Sequence, residues 1–346
     1  MDDLSVLDAA PAGVPTSGGL ADRHGRLATD LRVSLTDRCN LRCEYCMPAE
    51  GLDWMPSEIT LTDDEVVRLV RIAVEQLGVR QVRFTGGEPL LRRGLVGIVD
   101  RVARLEPRPG IALTTNALGL TRSAQALAAA GLDRINVSLD SVRHDTFATI
   151  TRRERLDDVI AGLEAATTAG LDPVKVNAVL LRGANDAEVP ELLRWCIARA
   201  YRLRIIEQMP LDAQHGWDRS TMVTAAETLD RLSQHFTLTP ATEPRGSAPA
   251  ELFLVDGGPA TVGIIASVTR PFCGDCDRVR LTADGQVRNC LFARQESDLR
   301  TALRAGAEDA EIAQRWRVAM WGKRPGHGID DERFLQPARP MSSIGG

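Results

Sequence analysis

Six of the seven cysteines in this chain fall into two triplets. The first is Cys39-Asn40-Leu41-Arg42-Cys43-Glu44-Tyr45-Cys46, with three residues in one gap and two in the next. The second is Cys273-Gly274-Asp275-Cys276, completed by Cys290. Three thiolates this close in sequence can converge on one inorganic centre. Iron–sulfur clusters are usually held by four cysteine thiolates. A triplet therefore implies a distant fourth ligand or a cluster with one iron left open for chemistry. The competing reading is a closed structural zinc site, which wants four ligands. Only His215 and His327 are candidates to complete one, and neither lies at close ligand spacing. The remaining cysteine, Cys196, sits in the amphipathic stretch Leu192–Ile197 and reads as an inert core residue.

Two further stretches carry chemistry. Cys276, Arg278 and Arg280 are two apart, so an extended segment aims all three at one face. Arginine's planar fork matches phosphate oxygens, which makes that face a candidate for an anionic substrate. In Thr85-Gly86-Gly87-Glu88-Pro89 the paired glycines let backbone approach a ligand closely. Glu88 is a candidate acceptor for an ammonium group, with no catalytic role assigned.

Cys39-x3-Cys43-x2-Cys46 after a strand, with Tyr45 before the last cysteine, resembles the signature of the radical S-adenosylmethionine (SAM) superfamily. Thr85–Pro89 is similar to the turn by which that superfamily holds the methionine end of SAM. With Cys273-x2-Cys276-x13-Cys290, Arg278, Arg280 and Gly345-Gly346, the resemblance narrows to the GTP 3′,8-cyclase family of molybdenum cofactor biosynthesis, from about Leu31 onward. The resemblance implies a [4Fe-4S] cluster on Cys39, Cys43 and Cys46 whose open iron takes the amino and carboxylate groups of SAM. It implies SAM contacts at Tyr45, Gly87, Ser138 and Met209. It also implies a second [4Fe-4S] cluster on Cys273, Cys276 and Cys290, facing the guanine of GTP. The GTP contacts would be Arg32, Arg83, Thr114, Lys175, Arg278, Val279 and Arg280. The Gly345-Gly346 tail would insert into the active-site pocket and be needed for activity. The implied reaction generates a 5′-deoxyadenosyl radical that takes the C3′ hydrogen of GTP and yields (8S)-3′,8-cyclo-7,8-dihydro-GTP. The implied partners are an electron donor such as flavodoxin or ferredoxin and a downstream cyclic pyranopterin monophosphate synthase, with the enzyme a monomer or homodimer. Two other readings stay open: a radical SAM enzyme with an auxiliary cluster acting on a peptide or other small molecule, and a non-enzymatic zinc- or cluster-binding protein.

These residues need a scaffold, and the apolar patterning supplies one. Strands are expected at Leu31–Thr36, Gln81–Phe84, Ile111–Asn116, Arg134–Asp140, Val174–Val179 and Leu203–Met209, alternating with helices. Thr62-Asp63-Asp64-Glu65 reads as a capping box opening a helix that runs to Leu77. Six β–α units with short links imply a parallel sheet with helices outside. The count fits an incomplete (βα)6 TIM-like barrel, and a flat doubly wound sheet gives nearly the same pattern. Arg83, Thr114, Ser138, Lys175 and Met209 are expected at the carboxyl ends of different strands, where a barrel builds its site. Pro240, Pro244, Gly246 and Pro249 mark a linker. The expected organisation is a flexible lead-in over 1–28, a radical SAM partial barrel over 29–240, and a smaller α+β region over 241–346 that carries the second triplet and the tail and covers the opening.

Composition excludes several classes. A net charge of −5 and 4% aromatic residues argue against a nucleic-acid binder. No apolar run approaches the ~20 residues of a membrane helix, and the N-terminus lacks the charged flank and apolar core of a signal peptide. The expected setting is cytoplasmic, where clustered cysteines point to metal or redox work.

Overall fold

The computed structural model describes residues 11–345; residues 1–10 and Gly346 lie outside the described part. Six parallel strands follow the expected order: β1 (Asp30–Ser34), β2 (Gln81–Thr85), β3 (Gly110–Thr115), β4 (Arg134–Ser138), β5 (Val174–Val179) and β6 (Arg202–Ile206). Helix α1 (Asp63–Leu77) shows why the sequence pattern was readable. Thr62 Oγ1 accepts from Glu65 N–H while Glu65 Oε2 accepts from Thr62 N–H, at 3.2 and 2.7 Å. Val66, Leu69, Val70, Ala73 and Leu77 form its buried stripe, and Gly78 ends it at φ 73°.

Strands that follow β6 in the chain lengthen the sheet at both edges. Strand β7 (Leu238–Pro240) pairs antiparallel with β8 (Glu251–Val255), and β8 with β9 (Thr261–Ile265), which lies parallel to β6. At the other edge β10 (Arg278–Leu281) lies parallel to β1 and antiparallel to β11 (Gln286–Arg288), followed by β12 (Ser297–Asp298). One twelve-stranded sheet results, in the order β12-β11-β10-β1-β2-β3-β4-β5-β6-β9-β8-β7. If the sheet were flat, β10 and β9 would stand roughly 34 Å apart, at about 4.8 Å per strand step. Residues of both line one cavity, so the sheet is curled into a partial barrel.

The lead-in expectation fails over part of its length. Leu20–Ala21 and Leu27–Ala28 form a two-stranded ribbon, and Leu20 is fully buried in the core. Asp22 and Arg26 pair beneath it at 2.5 Å. Arg317, on helix α2 (Asp309–Trp321), donates from Nε to Gly18 O at 3.1 Å. Alternation over 20–28 is too short to register as periodicity, although it is enough to anchor the segment. Cys196 has no exposed surface, as expected of a core thiol.

Candidate active site

The first triplet occupies the loop after β1, at the carboxyl end of the barrel. The Gly86–Glu88 turn after β2 packs directly on it. Gly87 N–H donates to Thr36 O and Glu88 N–H to Arg38 O, both at 2.7 Å. Gly86 has φ 145°, and a Cβ there would meet Thr36 O at 2.4 Å. Glu88 is fully buried, near enough to Cys39 for its charge to act on that thiol, and its carboxylate is engaged by three protein donors. Its carboxylate accepts from Thr115 Oγ1 (2.6 Å), Asn116 N (2.7 Å) and Leu90 N (2.9 Å). Burial still raises its pKa to about 7 against those three donors. Glu88 thus fastens the turn to the end of β3. From there Asn116 Nδ2 donates to Asn40 Oδ1 at 2.7 Å and lies 3.8 Å from Cys39 Sγ.

Cys39, Cys43 and Cys46 line a cavity of about 150 Å³ together with Gly86 and Gly87. Tyr45, Thr114, Ser138, Asp140 and Met341 line both this cavity and an adjoining one of about 270 Å³. The larger cavity holds Cys273, Cys276 and Cys290, with Arg32, Arg83, Arg204, Arg278 and Arg280 and with Met209. The two triplets therefore line adjoining cavities that share lining residues. Tyr45 donates its hydroxyl proton to Asp140 Oδ2 at 2.9 Å, and Asp140 Oδ1 accepts Val179 N–H at 2.9 Å. Burial lifts Asp140 to about 6, opposed by those two donors.

Cations dominate the wall. In the strand register Arg280 faces Arg32, which in turn faces Arg83. Among the described residues none of these three, nor Arg204 or Arg278, makes an ion pair. Arg32 Nε, Arg83 Nε and one Arg278 Nη are buried without a hydrogen-bond partner, as are Asn136 Oδ1 and Asn177 Oδ1. Burial and then the neighbouring Arg83 bring Arg32 down to about 9. Burial lowers Arg83 and Arg204 to about 10 each. Buried donors of this charge, left unpaired, are costly. An anion rich in oxygen acceptors is the ligand that satisfies them.

Not every expected position meets the cavity. Arg83 sits mid-strand in β2 and Lys175 near the start of β5, so neither is at a carboxyl end. Arg83 reaches the cavity wall from there. Lys175 shares its face with the cavity-lining Asn177 and Val179 but lies one pleat deeper. Val279 alternates away from Arg278 and Arg280 and its side chain joins the hydrophobic core. Gly345 O accepts from Arg280 Nη1, and a Cβ on Gly345 would meet Thr85 Cγ2 at 2.7 Å and Ser34 Cβ at 3.2 Å. The tail segment is therefore seated among strand ends of the barrel; Gly346 lies outside the described residues. Arg204, Asn177 and Asp140 line the cavity and were not singled out from sequence. Arg204, a cation two residues before Ile206 in an apolar strand, carried a signal; Asp140, two residues after Ser138 and so on the same alternating face, carried another.

The donor chemistry fits clusters better than a single ion. Among the described residues no group of three His, Cys, Asp or Glu is close enough to hold one metal ion. His327 is also committed elsewhere: Nε2 lies 3.1 Å from Ser267 O, and Nδ1 accepts Ile329 N–H at 3.1 Å. Three cysteine thiols lining each cavity are the donor type that iron–sulfur clusters take. Burial acts upward on Cys276, but Arg278 and Lys323 outweigh it and bring the thiol to about 7, favouring the thiolate that iron requires.

A partial βα barrel with a thiol triplet and a glycine turn at its carboxyl end is the architecture of the radical SAM superfamily, whose family model matches residues 33–196. The model for Molybdenum Cofactor Synthesis C matches residues 201–329. A GTP 3′,8-cyclase of Streptomyces coelicolor is 66% identical over 94% of this chain and 96% of its own length. One from a Mycobacterium species is 64% identical over 99% and 98%. GTP 3′,8-cyclase 2 of Mycobacterium tuberculosis is 60% identical over 98% and 95%. Among solved structures, Streptococcus suis SuiB bound to S-adenosylmethionine superposes with a TM-score of 0.58 at 15% identity, covering 90% of this chain and 69% of SuiB. Native anSMEcpe with bound AdoMet gives 0.57 at 14%, covering 87% and 82%; both likenesses speak to the fold. The chain belongs to the GTP 3′,8-cyclase family of radical SAM enzymes.

Proposed function

We propose that this chain converts GTP to (8S)-3′,8-cyclo-7,8-dihydro-GTP, the first step of molybdenum cofactor biosynthesis. The carrying observation is a pair of adjoining cavities that share lining residues, with a thiol triplet in each and arginines without ion pairs among the described residues along the second. In this reading Cys39, Cys43 and Cys46 hold one [4Fe-4S] cluster and Cys273, Cys276 and Cys290 the other. When bound, these clusters supply reductive cleavage of SAM and an anchor for the guanine. The remaining work belongs to side chains. Gly87, Tyr45 and Ser138 bound the SAM space, with Tyr45 held in orientation by Asp140, whereas Met209 lines only the adjoining cavity of the second triplet. Arg32, Arg83, Arg204, Arg278 and Arg280 bind the triphosphate and fix the ribose relative to SAM; Thr114 stands where the two cavities meet. The Met341–Gly345 segment reaches the same strand ends and excludes water from them. A peptide offers no polyphosphate for this wall, which disfavours the peptide-modifying alternative.

The deciding experiment follows 5′-deoxyadenosine formation after anaerobic cluster reconstitution, with GTP, with ATP and with neither. Stimulation by GTP with loss of its C3′ hydrogen is expected; no stimulation overturns the proposal. We also place the enzyme in the cytoplasm, served by a donor such as flavodoxin or ferredoxin and followed by cyclic pyranopterin monophosphate synthase. Among the described residues no helix is long and apolar enough to cross a membrane.

Lys175 adds a pH signature. Burial, then Arg204, Arg134, Arg83 and Arg202, lower its ammonium to about 7. A bound triphosphate favours the charged form, so above pH 7 binding draws a proton onto Lys175. The protonated enzyme binds more tightly, hence GTP affinity falls as pH rises from 7, by at most about tenfold per unit for one linked proton. Calorimetry at pH 8.5 in two buffers of different ionisation heat is expected to show uptake approaching one proton, absent in Lys175→Met. Equal apparent heats in both buffers would remove Lys175 from the phosphate site.

A further inference from the structure

Lys323 stands just past the end of α2 and only 2% of its surface is exposed. Its ammonium donates to Cys276 Sγ at 3.3 Å, Cys276 O at 3.1 Å and Arg278 O at 2.9 Å. All three of its protons are therefore spent on the Cys276–Arg278 segment, and one of them goes to the Cys276 sulfur, which Arg278 also approaches from its own strand. A second staple holds the same pieces together. Arg26 Nη1 donates to Cys273 O (2.7 Å) and Pro325 O (3.0 Å), while its Nη2 donates to Arg324 O (2.6 Å). Arg26 thus ties the Cys273–Cys276 turn to the segment that follows Lys323, without touching a sulfur.

We propose that Lys323 is a positioning residue for the second triplet, setting the electron affinity of the cluster held there through its charge and its N–H···S bond to Cys276. The inference rests on the cluster assignment above. The reason is electrostatic. Reduction adds negative charge to a cluster and to its cysteine sulfurs, and hydrogen bonds to those sulfurs are among the levers that set cluster potentials. A buried ammonium at 3.3 Å from one sulfur favours the reduced form more than the oxidised form.

The test uses full-length protein in which Cys39, Cys43 and Cys46 are replaced by Ala, so that any cluster signal comes from the second triplet. The midpoint potential is read by redox titration monitored by electron paramagnetic resonance, alongside iron content. Lys323→Met is expected to lower the potential by at least a tenfold change in the oxidised-to-reduced ratio, about 59 mV for one electron. Lys323→Arg, which keeps the charge, is expected to restore most of it. Arg26→Gln is the comparison, because it loosens the same turn and removes only a weaker charge, last among the influences on Cys273, while leaving the Lys323–sulfur contact. It is expected to lower iron retention without the potential shift. An unmoved potential in Lys323→Met with iron retained overturns the proposal. So does an equal shift in Arg26→Gln. If Lys323→Met loses its iron, the comparison falls to Lys323→Gln, which keeps an N–H donor without charge and is expected to shift the potential part of the way; no shift there overturns the inference. Absence of iron in the triple-alanine parent would instead refute the cluster assignment itself.

Discussion

Gly87→Ala is expected to abolish GTP-dependent 5′-deoxyadenosine formation, a loss of at least roughly 100-fold, while Gly274→Ala stays close to the parent enzyme. Both glycines belong to motifs that sequence reading attached to ligand binding, and the structure separates them. A Cβ at Gly87 would lie 2.4 Å from both Asp37 O and Arg38 O. These are backbone atoms of the residues leading into Cys39, so no side chain can swing aside. The turn and the cysteine loop must part, breaking the Gly87–Thr36 and Glu88–Arg38 hydrogen bonds that lace them. Forcing a methyl group into a packed site typically costs 1–3 kcal/mol even where side chains can adjust. A displacement of about 1 Å between reacting groups is enough for a 100-fold loss. At Gly274 a Cβ meets nothing within 4 Å. The check is product formation together with iron content, since a shifted Cys39 loop should also hold its cluster poorly. Wild-type turnover in Gly87→Ala would mean that the turn yields, and that the close approach is not a constraint on the site.

The contrast marks what the residues disclosed and what only packing does. The barrel was legible because each strand and helix carries its own period, and α1 even carries its capping box in four consecutive residues. The thiol triplets were legible because each local spacing is a chemical statement. Partners set by long-range pairing were not. Lys323 is 47 residues from Cys276, and nothing local predicts their contact. Asp140 and Tyr45 lie 95 apart. Arg26 fell in a stretch that looked like a lead-in, because a two-residue strand leaves no period to detect. Lys175 and Arg83 were assigned to strand ends because boundaries are soft by one or two residues, and one pleat decides which residues meet the cavity.

The arginine wall leads to an expectation of opposite signs. Arg83→Met should leave the nucleotide-free protein at least as stable as the parent, and weaken GTP binding roughly 10- to 150-fold. Arg83 is half-buried beside Arg32, its Nε is buried without a partner, and it makes no ion pair among the described residues. Burial lowers its pKa to about 10, and Arg134, Arg204 and Arg278 push the same way while Asp30 opposes them. Without an anion this guanidinium is a cost to the fold. Replacing buried charge by an apolar chain of similar volume is often neutral or stabilising, by about 1–4 kcal/mol. With the triphosphate in place the balance reverses, since a hydrogen bond to a charged group contributes about 1.5–3 kcal/mol, and 1.4 kcal/mol is tenfold in affinity. Anaerobic denaturation with and without GTP reads both effects at once. Ligand stabilisation grows as RT ln(1 + [L]/Kd), so the parent should be the less stable protein without nucleotide and overtake the variant as GTP is added. Parallel curves, with the variant destabilised by the same amount at every GTP concentration, would make Arg83 a structural residue and move the triphosphate elsewhere. Crossing curves would mean that the protein forgoes stability at this wall to keep a site ready for an anion.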